Sequence, residues 1–343
     1  MQLSVFRKIK WRKTMDIRGL TLVVSACALG MCGTAFAAWE PTKPIEIIVP
    51  FAPGGASDQM ARTIQGAITK NNLTKAPVVV VNKPAAAGGE AMLEIKAAKG
   101  DAHKLLTTSS GLYMTPLSSK LPVSWRDFTP VALLAQDEFL LWTYNDAPYK
   151  TAGDLLAAAK SGQNIRIGGA GSKREDNLIT WALGDESAAK ITYIPYAGGG
   201  PTSVQLAGKH IEASTGNPSE EVASWRAGNA RPLCLLSPKR MAYKEKITDT
   251  AAWSDIPTCG EQGIKFTYNM LRGMFMPGGV SNEQRDFYVD LFKKVQETAE
   301  WKEYLARNAL LPDFRSGASF VEFLTADEQR HKDLMDKAGF LAK

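Results

Sequence analysis

The sequence predicts an α/β fold of two domains joined by two crossing segments. Three observations carry that prediction. Apolar, β-prone runs alternate with helical patterns, the signature of strand–helix–strand units. A design of strand, Gly-rich turn and helix appears near residue 50 and again near residues 168 and 197. Two long extended stretches, 128–144 and 269–277, stand where a chain would leave one domain and return to it. A length of 343 residues suits two domains better than one.

Residues 1–37 differ in kind from the rest. Arg7, Lys8, Lys10, Arg12, Lys13 and Arg18 form a basic segment, an apolar run from Leu20 to Met31 follows, and Ala35-Phe36-Ala37 makes an A-x-A cleavage site. This reads as a signal peptide cut between Ala37 and Ala38, too short to be a spanning helix. Met15 is an alternative start, and Val24-Ser25-Ala26-Cys27 leaves a lipoprotein alternative through Cys27. The leader carries net charge +5 of the formal total of +6, so the mature chain is close to neutral. No Lys/Arg-rich patch remains in it, and nucleic acid is excluded as a partner on that ground.

The mature chain opens with the strand Ile45–Val49, the turn Pro50-Phe51-Ala52-Pro53-Gly54-Gly55-Ala56-Ser57-Asp58 and a helix with Met60, Ile64 and Ile68 on one face. Paired glycines let backbone N–H groups approach a ligand, and a helix N-terminus favours an anion. Ser57 and Asp58 are the candidate N-caps. No Gly-Lys-Ser or Gly-Lys-Thr follows, and the G-x-G-x-x-G spacing is absent, so neither a phosphate loop nor a dinucleotide fingerprint is present. The loop therefore reads as a carboxylate site, or as a purely structural turn. A second strand, 77–82, leads to the turn 83–89 and a helix from Glu90 to Ala98. A third strand, 104–108, ends in Ser109-Ser110-Gly111. This alternation implies a parallel sheet with right-handed crossovers, with ligands beyond the strands' carboxyl ends.

After the first crossing, Thr151 caps a helix to Lys160, and strand 164–168 opens into Gly169-Ala170-Gly171-Ser172-Lys173-Arg174 before a helix from about Glu175. Strand 191–196 leads to Gly198-Gly199-Gly200-Pro201 and a helix to about Gly208. Strand 211–215, helix 220–227 and strand 232–236 follow. The second crossing is 269–277, and the tail is helical, with Ser281 capping 282–299 and a second helix over 318–338. Two domains with Gly-rich turns facing one cleft form a hinged binder. Domain one comprises 38–140 with 269–343, and domain two 141–268.

Cys234 and Cys259 remain after the leader is removed. Export to an oxidising compartment makes one disulfide the expectation, with two buried free thiols as the alternative. His103, His210 and His331 are far apart in sequence, so no metal or other cofactor is expected, and no Gly-x-Ser-x-Gly elbow supports an exported hydrolase.

Lys43-Pro44-Ile45 followed by the Pro50–Asp58 turn resembles the start of the tripartite tricarboxylate transporter substrate-binding proteins, the Bug family. Asn82-Lys83-Pro84, Asp127–Ala132, Tyr196–Pro201, Asp255–Thr258 and Phe275–Val280 continue the resemblance in order across the mature chain. It implies a periplasmic Venus-flytrap fold of type II-like topology, a small organic acid as ligand and the permease subunits of a membrane transporter as partners. The protein itself is expected to be a monomer. A sensing partner of a signalling receptor would share the same features. Phe51, Ala52, Pro53, Gly54, Gly55, Ser57 and Asp58 would form the first binding loop, with Ala87, Gly88, Gly89, Ser109 and Ser110 beside it. Gly169, Gly171, Ser172, Gly198, Gly199 and Gly200 would face them from the second domain. Glu90, Lys173 and Arg174 depart from the family pattern, and ligand choice is expected to rest on them. Glu90 would meet a ligand amine or an Arg. Arg174 would take a second carboxylate or pair with Glu175 or Asp176.

Overall fold

Two mixed sheets carry residues 39–343, the part of the chain that the computed structural model describes. The leader, its cleavage site and Cys27 lie outside the described residues. The first sheet has six strands in the order β11-β4-β10-β3-β1-β2: β1 (Ile45–Val49), β2 (Val78–Asn82), β3 (Lys104–Thr108), β4 (Phe128–Glu138), β10 (Asn269–Pro277) and β11 (Leu311–Ser316). The second has five in the order β7-β6-β8-β5-β9: β5 (Leu140–Tyr144), β6 (Ile165–Ala170), β7 (Ile191–Tyr196), β8 (Ala213–Gly216) and β9 (Ala230–Leu235).

Only part of each sheet is parallel. β1 pairs parallel with β2 and β3, and β6 with β7 and β8, as the strand–helix alternation requires. The crossing strands run the other way: β10 is antiparallel to β3 and β4, and β5 is antiparallel to β8 and β9. The expectation of a parallel sheet is corrected there. A strand entering from the other lobe arrives from the opposite end.

The helices form where the periodicity places them. α1 (Ala56–Lys70) buries Met60, Ile64, Ala67 and Ile68 against the first sheet. α2 is Gly89–Ala97, and α4 (Ala152–Lys160) is capped by Thr151, whose side chain accepts from the Asp154 N–H at 3.0 Å. α5 (Glu175–Ser187), α6 (Gly199–Ala207) and α7 (Pro218–Arg226) each follow a strand of the second sheet. α8 (Asn282–Glu297) starts at the Ser281 cap and packs Tyr288, Leu291, Phe292 and Val295 on the first core. α10 (Gly317–Lys337) closes the chain. Sequence patterning missed α3 (Gly111–Ser119), α9 (Ala299–Arg307) and β11. α3 carries Pro116, a residue that interrupts helical pairing, and is held by buried Leu112, Tyr113 and Met114.

The two crossings lie side by side. β4 passes into β5 through the single residue Phe139, and β10 is entered through Tyr268. The Phe139 and Tyr268 rings meet edge-on at 5.4 Å. Between them, the Leu236 N–H donates to the Phe139 carbonyl (2.8 Å) and the Tyr268 N–H to the Leu236 carbonyl (2.7 Å). The chain end makes a third bridge, because Met335 of α10 packs in the second lobe's core; the Ala342 N–H then donates back to the Leu117 carbonyl of the first lobe at 2.9 Å. Cys234, in β9, forms a disulfide with Cys259.

Candidate functional site

Helix N-termini converge on one cleft. The turns after β1, β3, β6, β7 and β8 all open into a cavity of about 650 Å³ between the lobes, with Phe139, Met270 and Arg272 of the crossing strands as its floor. The first lobe contributes Phe51, Ala52, Pro53, Gly54, Gly55, Ala56, Ser57, Gln59 and Ser109. The second contributes Ala170, Gly171, Arg174–Asp176, Tyr196–Pro201, Asn217, Ser219 and Glu220.

The first loop is built to present backbone donors. Gly55 is the N-cap of α1 and has no side chain to satisfy the first turn. The N–H groups of Ala56, Ser57 and Asp58 are those that helix geometry leaves without an intrahelical acceptor. Asp58 lines no part of the cavity. Its carboxylate folds back to accept from the Gly54 N–H, Arg62 Nε and Asn82 Nδ2, each at 2.9 Å. Burial raises its pKa, but these bonds and the Arg62 charge hold it below the usual aspartate value. The loop is therefore braced by Asp58 and Asn82, and Asn82 also donates to the Phe51 carbonyl at 3.1 Å.

Arg272 is the fixed cation of the floor. It is 3% exposed. Its Nη1 donates to Ser57 Oγ at 3.0 Å and its Nε to Asp137 Oδ2 at 3.1 Å. The second arginine, Arg174, reaches from the turn after β6 across the cleft. Its guanidinium stands 5.7 Å over the Phe51 ring and donates to Glu175 Oε2 at 3.2 Å. It also rests on Gly111, where a Cβ would come within 2.7 Å of its Nη2. Glu175 in turn accepts from Ser109 Oγ of the first lobe at 3.4 Å. Burial raises the Glu175 pKa, but the Arg174 charge brings it below the ordinary glutamate value. Of the two roles expected for Arg174, internal pairing with Glu175 is the one present.

Several residues singled out from sequence lie elsewhere. Ala87, Gly88, Gly89 and Glu90 do not line the cavity. Ala87 and Glu90 are exposed, and Gly88 backs the first loop. A Cβ on Gly88 (φ +84°) would fall 2.8 Å from Pro50 Cβ, so this turn supports the loop from behind. Ser110 is buried at the start of α3. Gly169 lies under Asp176, whose Cβ would be 2.3 Å from an added methyl. Ser172 is exposed, and Lys173 turns at φ +56° with its N–H on Asn177 Oδ1, both away from the cavity wall.

Sequence reasoning missed Arg272, Asp176, Asn217, Glu220 and Tyr196. A signal existed for three. Asn217-Pro218-Ser219-Glu220 occupies the same strand-to-helix position after β8 as the Gly-rich turns, and Arg272 is a lone cation inside the apolar run 270–276. His331 is buried, with Nδ1 on the Asp327 carbonyl and Nε2 2.7 Å from Tyr268 Oη. Among the described residues no histidine hydrogen-bonds a serine, and no His/Cys/Asp/Glu group is arranged to hold a metal ion.

A family profile described as "Tripartite tricarboxylate transporter family receptor" matches residues 60–340. The crystal structure of a TctC solute-binding protein from Polaromonas is 28% identical and superimposes with a TM-score of 0.70, covering 87% of this chain and 99% of that one. Protein BugT of Bordetella pertussis is 29% identical over 241 residues, 68% of this chain and 70% of its own. MatC of Rhodopseudomonas palustris, solved with bound malate, is 22% identical at a TM-score of 0.74, covering 86% and 99% of the two chains, and so speaks to fold. The chain belongs to the tripartite tricarboxylate transporter receptor family, solute-binding receptors of periplasmic-binding-protein fold rather than enzymes.

Proposed function

We propose that this protein captures a small organic acid in the periplasm and delivers it to the membrane subunits of a tripartite transporter. The ligand's carboxylate sits at the N-terminus of α1, on the N–H groups of Ala56 and Ser57, with Arg272 supplying positive charge through Ser57. The observation that carries this reading is the uncapped start of α1 opening into an interlobe cavity. The malate found in MatC agrees with a carboxylate ligand. Phe51–Gly55, Ser109, Gly171, Arg174 and Gly198–Gly200 form the remaining walls. The two domains, 38–140 with 269–343 and 141–268, close about Phe139 and Tyr268, and ligand bound between them holds the closed form that docks to the permease.

A thermal-shift screen of refolded, ligand-stripped protein tests this. The panel is mono-, di- and aromatic carboxylates, amino acids and nicotinate-like acids. Binding to the native state raises the melting temperature. A response to carboxylates supports the reading. A response only to neutral or cationic compounds lacking a carboxylate overturns it.

A further inference from the structure

Both arginines of the cleft are already matched, Arg174 by Glu175 and Arg272 by Asp137. Two further carboxyl groups line the cavity and form no ion pair among the described residues: Asp176 and Glu220. Asp176 is 4% exposed. Its Oδ2 accepts from the Ala170 N–H at 2.8 Å, while its Oδ1 is buried with no partner. Glu220 has its Oε2 on the Asn217 N–H at 3.2 Å, and its carboxylate lies in the space that a side chain at Gly199 would fill, 2.1 Å from the position of an added Cβ. Gly199 and this acid therefore pack directly against each other, and both line the cavity. Burial pushes both carboxyls up, Glu220 to about 7, and the Glu220 charge raises Asp176 further. A buried carboxylate without a cation or a full set of donors is costly, and native structures supply the missing partner from solvent or ligand.

We propose that the far end of the ligand is a cation: the protein takes an organic acid that also carries an ammonium group, with the ammonium donating to Asp176 Oδ1 and to Glu220. This rests on the carboxylate reading above and names the second half of the same ligand. An ammonium brings N–H donors and a positive charge, and carries no acceptor. A second carboxylate at this place would meet two acids with no free arginine. Lys173, the remaining basic residue of this turn, does not line the cavity.

Matched pairs of acids that differ only in the amine test the idea: aspartate and succinate, glutamate and glutarate, 4-aminobutyrate and butyrate. Titration calorimetry on the purified, ligand-stripped protein is expected to give at least one pair in which the amine-bearing member binds about tenfold tighter or better. In Asp176→Asn, which keeps the acceptor for Ala170, that ratio collapses towards one while the amine-free member still binds. Glu220→Gln is the second variant, with circular dichroism confirming that each is folded. Amine-free members binding as tightly as their partners in the wild type, with Asp176→Asn unchanged, would overturn the ammonium site and leave the carboxylate site standing. No binding of any acid on this panel or the wider one would overturn both.

Discussion

Arg272 of β10 and Asp137 of β4 form a buried ion pair that ties the two crossing strands together at the floor of the cleft. The strands are antiparallel neighbours, with Arg272 opposite Ala135 and Asp137 opposite Met270, so the pair is diagonal. The same guanidinium reaches Ser57 in the first loop. One residue therefore links the two crossing strands to the proposed carboxylate site.

Arg272→Ala leaves Asp137 buried without its cation and is expected to cost roughly 3–5 kcal/mol of stability. Replacing both partners, as Arg272→Met with Asp137→Leu, is expected to lose less than the single change, because no uncompensated charge remains. Urea unfolding of the three proteins measures this. A double variant no more stable than Arg272→Ala would show that the uncompensated Asp137 charge is not what destabilises the single variant.

Gly55→Val is expected to abolish ligand binding with the fold intact. Gly55 has φ −73°, which valine adopts, and an added Cβ meets only the Ala52 carbonyl at 3.5 Å. The branched side chain then stands over the first turn of α1, where the ligand carboxylate belongs. Unaltered affinity in a folded variant would move the site elsewhere.

Much of this architecture was legible because strand and helix periods differ so plainly. β1, β3, β7 and β10 fall where the apolar runs place them, and α4 and α8 start at the expected Thr151 and Ser281 caps, whereas α1 starts at Gly55 and takes the expected caps Ser57 and Asp58 into its first turn. The second sheet's turns were readable as copies of the first. Arg272 was not legible as a site residue, because its pairing depends on strand order: β10 lies between β3 and β4, remote neighbours in sequence. Asp176 and Glu220 look in sequence like ordinary first-turn acids of α5 and α7. Only the packing of Gly169 and Gly199 against them shows where they stand. The turn at Gly88 misled in the other direction, since a Gly-rich turn that supports a loop and one that touches a ligand share a composition.

Stability is expected to fall as pH rises. Burial pushes Glu221 up to about 7, partly offset by hydrogen bonds from Ser203 Oγ (2.7 Å) and Ser214 Oγ (3.2 Å), and it pushes Glu138 up to about 7 as well. Unfolded glutamates titrate near 4.5. Between these values the native state holds more protons than the unfolded one, so each group's contribution to stability declines from about pH 4.5 to 7 and is flat beyond. Glu221→Gln is expected to reduce the drop in melting temperature between pH 5 and pH 8. A steeper drop in the variant would contradict the assignment.

Cys234 and Cys259 close a loop with a sequence separation of 25. Chain-entropy arguments put such a link at about 3.5 kcal/mol. Cys234→Ala with Cys259→Ala is expected to lower the urea midpoint accordingly. Thiol labelling of the unfolded, unreduced wild type should find neither cysteine free; labelling of both would place them as thiols.

A crystal structure of the protein with the tightest-binding carboxylate from the screen addresses the central claim most directly. The expected result is a carboxylate oxygen within about 3 Å of the Ala56 or Ser57 N–H, with the lobes closed over the rest of the ligand. A ligand outside the interlobe cavity, or one whose carboxylate lies on Arg174 and leaves the start of α1 to solvent, would contradict it.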